Sequence, residues 1–194
     1  MQEIIQSFFR ERSLVNHQIA SYDDCIPAGD NSISRMEKII RNIRVGTDEE
    51  ISDDKGGFIK LDVIDQDIVI RLKNIQLGEP TIREANGSEH PSSPMECRLR
   101  KLTYMSPVTI DFQIERNGVP SPKEEAVQVG SLPIMVRSKR CNLHPGHIAG
   151  DRHLHPTTSA EDSEMWNDLL RKKGEDPLDP GGYFIINGTE RVVV

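Results

Sequence analysis

The sequence predicts an α+β fold in which N-terminal helices pack on an antiparallel sheet. Three observations predict it. Apolar residues near the N-terminus (Ile4, Ile5, Phe8, Phe9) recur along one side of a helix. Stretches from Gly57 onward alternate apolar and polar residues, as half-buried strands do. Finally, Asn187-Gly188 stands between two apolar runs, the pairing that best favours a tight hairpin.

The elements follow in order. Ile4 to Ile26 reads as helical, and Ser13 can cap a second segment carrying Leu14, Val15, Ile19 and Tyr22. Pro27-Ala28-Gly29-Asp30-Asn31 breaks the pattern. Ser32 or Ser34 can restart a helix with Ile33, Met36, Ile40 and Ile43 facing inward. Gly57–Ile64 and Asp67–Leu72 read as antiparallel strands joined at Asp65-Gln66. Glu79–Pro94, rich in Gly, Pro, Ser and charge, reads as a loop. Pro94 suits the first position of a short helix running to about Lys101, with Glu96 complementing its N-terminal dipole. Val108–Glu115 and Ala126–Val136 read as partner strands, with a turn at Asn117-Gly118. Lys139–Thr158 reads as a loop containing His, Pro and Gly. Ser159 opens a helix over Glu161–Lys172, acidic at its start and basic at its end. Asp176–Gly182 is turn chemistry, and Tyr183–Ile186 with Glu190–Val194 forms the closing hairpin.

Composition narrows the function. Of 194 residues, 36% are hydrophobic and 5% aromatic, which fits either a domain that leaves apolar surface to partners or one with long polar loops. The net charge of −7 is the wrong sign for a free-standing nucleic-acid binder, because phosphate contacts dominate such affinity. A DNA role must come from a local basic strip or from neighbouring chains. Three scattered cysteines, Cys25, Cys97 and Cys141, make no disulfide framework and fit a reducing cytoplasm. The chain ends at Val192-Val193-Val194, inside an apolar strand, which is expected of a fragment or a split portion of something longer.

Four groups of residues could carry chemistry. Cys141, His144, His147, His153 and His155 are zinc-type ligands spaced C-x2-H-x2-H-x5-H-x-H, so a Cys/His zinc-binding interaction module is the alternative function. They lack the paired knuckles of the usual sites, and a polar loop accounts for them better. Asp179-Pro180-Gly181-Gly182 could cradle phosphate, but it leads into a strand rather than a helix, so a turn is the better reading. The basic strip Arg137, Lys139 and Arg140, followed by Arg152, is the candidate nucleic-acid contact, with Arg98, Arg100 and Lys101 a second local reversal of charge. The acidic pairs at Asp23-Asp24, Asp48-Glu49-Glu50 and Asp53-Asp54 read as solvated loop acids. No catalytic, cofactor-binding or metal residues are assigned on the chain.

Four stretches then resemble a known family. They are Ser7-Phe8-Phe9 with Leu14-Val15-Asn16-His17-Gln18-Ile19-Ala20-Ser21-Tyr22, and Pro94-x-Glu96-Cys97-Arg98-Leu99-Arg100-Lys101-Leu102-Thr103-Tyr104 with Ser106-Pro107. Gly130–Ser138 and Asp179–Arg191 complete the set. In this order they resemble the second-largest (B-type) subunit of archaeal DNA-directed RNA polymerases, which also occurs split into two polypeptides. The resemblance implies that residues 1–194 are the N-terminal part of the protrusion domain, ending about where the lobe would begin. It implies a structural wall of the DNA cleft in a cytoplasmic nucleotidyltransferase, inactive as an isolated chain. Magnesium and zinc are expected elsewhere in the assembled polymerase. The implied partners are the largest subunit, the small assembly subunits, DNA, and general initiation and elongation factors. Cys25, Pro27-Ala28-Gly29 and Met105 depart from the family's pattern.

Overall fold

The computed structural model describes residues 14–26, 33–46, 57–63, 66–148 and 160–193. The expected helix over Ile4–Ile26 is described only as α1, Asn16–Cys25; its Ile4–Phe9 stripe lies outside the described residues. Helix α2 (Arg35–Asn42) begins at Ser34. The Ser34 hydroxyl accepts from the Glu37 N–H at 3.2 Å, and the Ser34 N–H donates to the Glu37 carboxylate at 2.7 Å, a closed capping box. Of the residues expected to face inward, Ile33 is exposed and Met36, Ile40 and Ile43 are half-buried. A two-turn helix resting on one sheet face covers only part of each side chain.

Strand β1 (Arg44–Val45) pairs in parallel with β2 (Gly57–Val63). β2 pairs antiparallel with β3 (Gln66–Leu77), Gly57 opposite Leu72 and Val63 opposite Gln66. Gln66 is therefore already in the strand, and the connection is residues 64–65, outside the described set. β3 runs past its expected end at Leu72, through a register shift between Leu72 and Ile75. Lys73-Asn74 interrupts the alternation there, so the continuation does not show in the pattern.

Glu79–Pro94 is not a loop. It contains β4 (Thr81–Arg83) and β5 (Glu89–Pro91), paired antiparallel. The Asn86 side chain closes the turn by accepting from the Ser88 N–H at 2.9 Å. Helix α3 (Pro94–Arg100) is capped by Ser93, has Pro94 in its first turn and stops at Lys101 in the left-handed region (φ 56°), as expected.

Strand β6 (Met105–Arg116) turns through Asn117-Gly118 into β7 (Val119–Pro120), and β8 (Glu124–Pro133) also pairs with β6. The expected strand Ala126–Val136 therefore ends earlier. Pro133 has no N–H to continue the ladder, and residues 134–136 find other partners. Within the stretch expected to be a loop, Pro145–Ile148 forms a single helical turn, α4. Helix α5 (Ala160–Lys172) matches expectation, and β9 (Phe184–Ile186) and β10 (Thr189–Arg191) form the expected hairpin, with Ile186 paired to Thr189 across Asn187-Gly188. The second strand, expected over Glu190–Val194, stops at Arg191, because β9 has no residue left to pair beyond Phe184, so Val192 and Val193 lie outside any strand.

Contacts gather the chain into two compact units. The first comprises Met1–Asp23, Glu79–Ser106 and Leu132–Val194; the second comprises Asp24–Gly78 and Pro107–Ser131. In the second, the sheet runs β1-β2-β3-β6-β7 and α2 packs on β2 and β3. Its buried side chains include Phe58, Val69, Ile75, Leu77 and Val108. Arg71 and Glu115 form a 2.9 Å ion pair across β3 and β6. The first unit buries Tyr104, Ile134, Val136, Leu143, Leu170 and Ile185 almost completely. No helix among the described residues is long and apolar enough to cross a membrane.

Candidate nucleic-acid interface

The described residues of the four family-like stretches fall mostly in the first unit. Backbone N–H groups link three of them: Tyr104 donates to Ile185 O at 3.0 Å, Ile134 to Tyr104 O at 3.0 Å, and Val136 to Tyr183 O at 2.9 Å. Gly182 donates back to Val136 O at 3.0 Å. The first stretch joins through Tyr22, whose hydroxyl donates to Pro133 O at 2.7 Å and whose ring meets Phe184 edge-on at 5.5 Å. Residues far apart in sequence thus satisfy each other's backbone groups, which buried chain requires. Gly181 and Gly182 make the approach possible. Both have positive φ (73° and 81°), and a Cβ on Gly181 would lie 2.4 Å from Arg137 Cγ and 2.6 Å from Val136 O.

Arg98 ties α3 to this framework. Its Nη1 donates to Glu175 at 2.9 Å, its Nε to Glu190 at 2.8 Å and its Nη2 to the Tyr183 hydroxyl at 2.6 Å. Tyr183 in turn donates to Asp179. Burial works against the charge on Arg98, but Glu175, Tyr183 and Glu190 together outweigh it and hold the guanidinium protonated. Glu175 is itself buried and also accepts from the Met95 N–H at 2.7 Å, near the start of α3. Arg100 is ion-paired with Glu84 and Glu96. The second basic cluster read from the sequence is therefore largely neutralised by acids brought from elsewhere in the chain.

The basic strip lies on a series of tight turns running from Met135 to His147. Arg137 adopts positive φ (71°). Its guanidinium stacks over the Trp166 ring at 5.3 Å and donates through Nη2 to Asp176 O at 3.0 Å. It therefore clamps the framework from outside. Ser138 is buried. Lys139 is exposed, and its backbone is fixed at both ends: the N–H donates to Asp23 at 2.9 Å and the carbonyl faces His147 Nε2 at 2.9 Å. Asp23, read as a solvated acid, is half-buried here; burial raises its pKa and the Lys139 N–H offsets part of that. Arg140 is half-buried, and Arg152 lies outside the described residues.

The Cys/His tract does not gather around a shared point among the described residues. Cys141 is fully buried; its sulfur takes the Tyr104 hydroxyl at 3.6 Å and the Leu143 N–H at 3.4 Å. Burial pushes its thiol pKa up, which disfavours the thiolate a zinc ligand needs. His144 and His147 meet edge to face with ring centroids 6.1 Å apart, while His153 and His155 lie outside the described residues. The Asp179–Gly182 loop uses its donors internally, Gly181 N–H to Asp179 at 2.9 Å and Gly182 N–H to Val136, leaving neither aimed at a phosphate. Asp48–Glu50 and Asp53-Asp54 lie outside the described residues. Burial also raises the Cys97 thiol, to about 11. Iodoacetamide is therefore expected to alkylate Cys25 alone in the folded protein, with Cys97 and Cys141 reacting only in denaturant. Peptide mass mapping with and without urea measures this, and rapid native labelling of Cys141 would remove the burial argument against the zinc site.

Comparison with known proteins fits this geometry. The family described as RNA polymerase beta subunit matches residues 13–149 and 157–194. The chain is 35% identical to the DNA-directed RNA polymerase subunit Rpo2N of Methanocaldococcus jannaschii, over 100% of this chain and 32% of that subunit. It is 33% identical to subunit Rpo2N of Halobacterium salinarum, over 99% of this chain and 31% of that subunit. It is 32% identical to subunit Rpo2 of Saccharolobus shibatae, over 99% of this chain and 13% of that subunit. The chain thus spans about a third of the length of the Rpo2N relatives. The stretches that bond to one another in the first unit are the ones that carried the resemblance, and the chain belongs to the RNA polymerase beta subunit family, as the N-terminal part of an archaeal second-largest subunit.

Proposed function

We propose that this chain is the first part of a protrusion domain, a structural wall of the DNA cleft in a multisubunit DNA-directed RNA polymerase. Bond making belongs to other chains: the isolated polypeptide makes no phosphodiester bonds and carries no cofactor of its own. One observation supports this most. The family motifs are occupied in holding one another, through Tyr104, Ile134, Val136, Tyr183 and Ile185, rather than converging acids or nucleophiles on a cleft. The largest subunit, the small assembly subunits, and the initiation and elongation factors are the proposed partners, in the cytoplasm.

In this reading, Lys139 and Arg140 meet the DNA backbone while Arg137 acts as a positioning residue, holding their turn on Trp166 and Asp176. The test is Lys139→Ala/Arg140→Ala in the reconstituted polymerase. Open complexes are expected to dissociate several-fold faster. The slope of log affinity against log salt should also flatten by about 0.9 for each phosphate no longer neutralised. Elongation on a pre-melted template should not change. Unaltered open-complex lifetime and salt slope would make the strip a solvated edge and remove DNA from the proposal.

A further inference from the structure

Four charged side chains join the β4–β5 hairpin to helix α3, two of them, Glu96 and Arg100, from the second family-like stretch. Glu84 follows β4, His90 lies on β5, and Glu96 and Arg100 lie one turn apart on α3. Arg100 holds both acids: Nη1 to Glu84 Oε1 at 2.7 Å, Nη2 to Glu84 Oε2 at 3.0 Å, and Nη1 to Glu96 Oε1 at 2.9 Å. His90 Nε2 faces Glu84 Oε1 at 3.0 Å and stands 4.0 Å from Glu96 Oε1. Its Nδ1 faces the Pro91 carbonyl oxygen at 3.2 Å.

The ring therefore has an oxygen acceptor at each nitrogen. A carbonyl only accepts, and so does an ionised carboxylate. A neutral imidazole carries one N–H, so its bare nitrogen would point a lone pair at an oxygen. An imidazolium donates from both. We propose that His90 is held as an imidazolium at neutral pH and serves as a proton-operated clasp between the β4–β5 hairpin and helix α3. The charges then balance, two carboxylates against a guanidinium and an imidazolium.

The same geometry distinguishes a proton from a metal. Glu84, His90 and Glu96 offer ligand-type atoms within 4.8 Å of one another. A divalent ion would need a lone pair on His90 and carboxylates released by Arg100, and each is committed otherwise. The other charged pair beside the ring, Arg83 and Glu89 on the two strands, is 3.9 Å apart and exposed, so it contributes little field.

The pH dependence follows from the partners. Arg100 first, and His90 second, hold the Glu84 carboxyl at about 2, well below its ordinary 4.5. The hydrogen bond to Glu84, then that to Pro91, raises His90 above its ordinary 6.5. A raised histidine contributes fully below 6.5 and is lost as pH rises through its folded value. A depressed carboxylate contributes fully above 4.5 and is lost as pH falls toward about 2. The clasp is therefore tightest between 4.5 and 6.5 and loosens above that window as His90 loses its proton.

The test is nitrogen-15 NMR of the imidazole rings in the whole chain, with His90 assigned by its loss in His90→Gln. At pH 7 both ring nitrogens of His90 should carry protons, and the titration midpoint should lie above that of the same histidine in urea. Glu84→Gln should bring the midpoint back toward the urea value. Amide exchange at Ile82 and His90, which face each other across the hairpin, should speed up several-fold through the midpoint after correction for base catalysis. His90→Gln should show no such step. A neutral ring at pH 7, or a midpoint indifferent to Glu84→Gln, overturns the clasp. So does stoichiometric zinc that shifts the His90 ring at pH 7, since the cluster would then be a metal site.

Discussion

Replacing Arg98 with alanine is expected to lower the unfolding free energy of the first unit by about 3 kcal/mol, the lower end of what breaking a buried ion pair costs. The size follows from what is left behind. Glu175 is buried, and without the guanidinium its carboxylate keeps only the Met95 N–H from the partners described above. The Tyr183 hydroxyl loses a donor in the same step. By contrast, Arg171 and Asp168 form a pair of similar length, 2.9 Å, with both side chains mostly exposed. Arg171→Ala should cost under about 1 kcal/mol, as surface pairs do. Urea unfolding followed by tryptophan fluorescence measures both, because the chain's one tryptophan, Trp166, lies in this unit. If the two substitutions shift the midpoint equally, Arg98 is not the tie between α3 and the closing hairpin. In the double variant Arg98→Met/Glu175→Leu, part of the loss should return, because no charge is left stranded. The Met95 N–H would still lack its acceptor, so recovery stops short of the parent.

Gly181→Ala should be about as damaging, at roughly 3 kcal/mol, from two separate causes. A left-handed backbone costs an L-residue about 1–2 kcal/mol. Overpacking adds about 1–3 kcal/mol when neighbours cannot move aside. Here the new methyl would meet Arg137 Cγ at 2.4 Å and the Val136 carbonyl at 2.6 Å, and that carbonyl is already fixed by Gly182. Gly87→Ala separates the causes. Its φ is 84°, but no atom lies within 4 Å of the added methyl, so only the backbone cost of about 1–2 kcal/mol applies. Equal losses at both positions, by the same tryptophan-detected titration, would mean that the close approach of Gly181 to Arg137 is not what fixes the residue. A larger loss at Gly181 would also place Arg137 among the packing groups, in keeping with its stacking on Trp166.

What could be read in advance was set by local backbone geometry. Asn187-Gly188 and Asn117-Gly118 demand positive φ at adjacent positions, and both turned as expected. Pro94 opened its helix because its missing N–H is one the first turn leaves unused anyway. Where reading failed, the cause was mostly long-range pairing. Charge around Asn86-Gly87 suggested a loop, although the dipeptide itself was the available hairpin signal. Two of those charged residues, Glu84 and His90, bond to each other within the hairpin, and Glu84 also pairs with Arg100 on the helix. Arg98 looked like part of a basic footprint because its partners Glu175 and Glu190 lie far along the chain, and Arg100 did because Glu84 reaches it from the hairpin. The strip at Arg137–Arg140 was found by charge alone. Charge does not reveal that Arg137 lies over an indole while Lys139 faces solvent. Cys141 shows the same limit: its spacing to the histidines suggested a ligand, but Tyr104 occupies its sulfur. Part of the sequence reading, including the Ile4–Phe9 stripe and His153 and His155, falls outside the described residues.

The division of the chain between its two units also constrains how the protein can be made. The first unit is assembled from three separated segments and the second from two, so the polypeptide passes between them four times. Neither can be excised as one continuous piece, and grafting the first into another scaffold would require transplanting all three segments together. Synthesis is ordered as well. Tyr104 and Val136 wait for Ile185 and Tyr183 before their N–H groups are satisfied. On the ribosome, the segments of the second unit emerge complete while the first still lacks the hairpin that closes it.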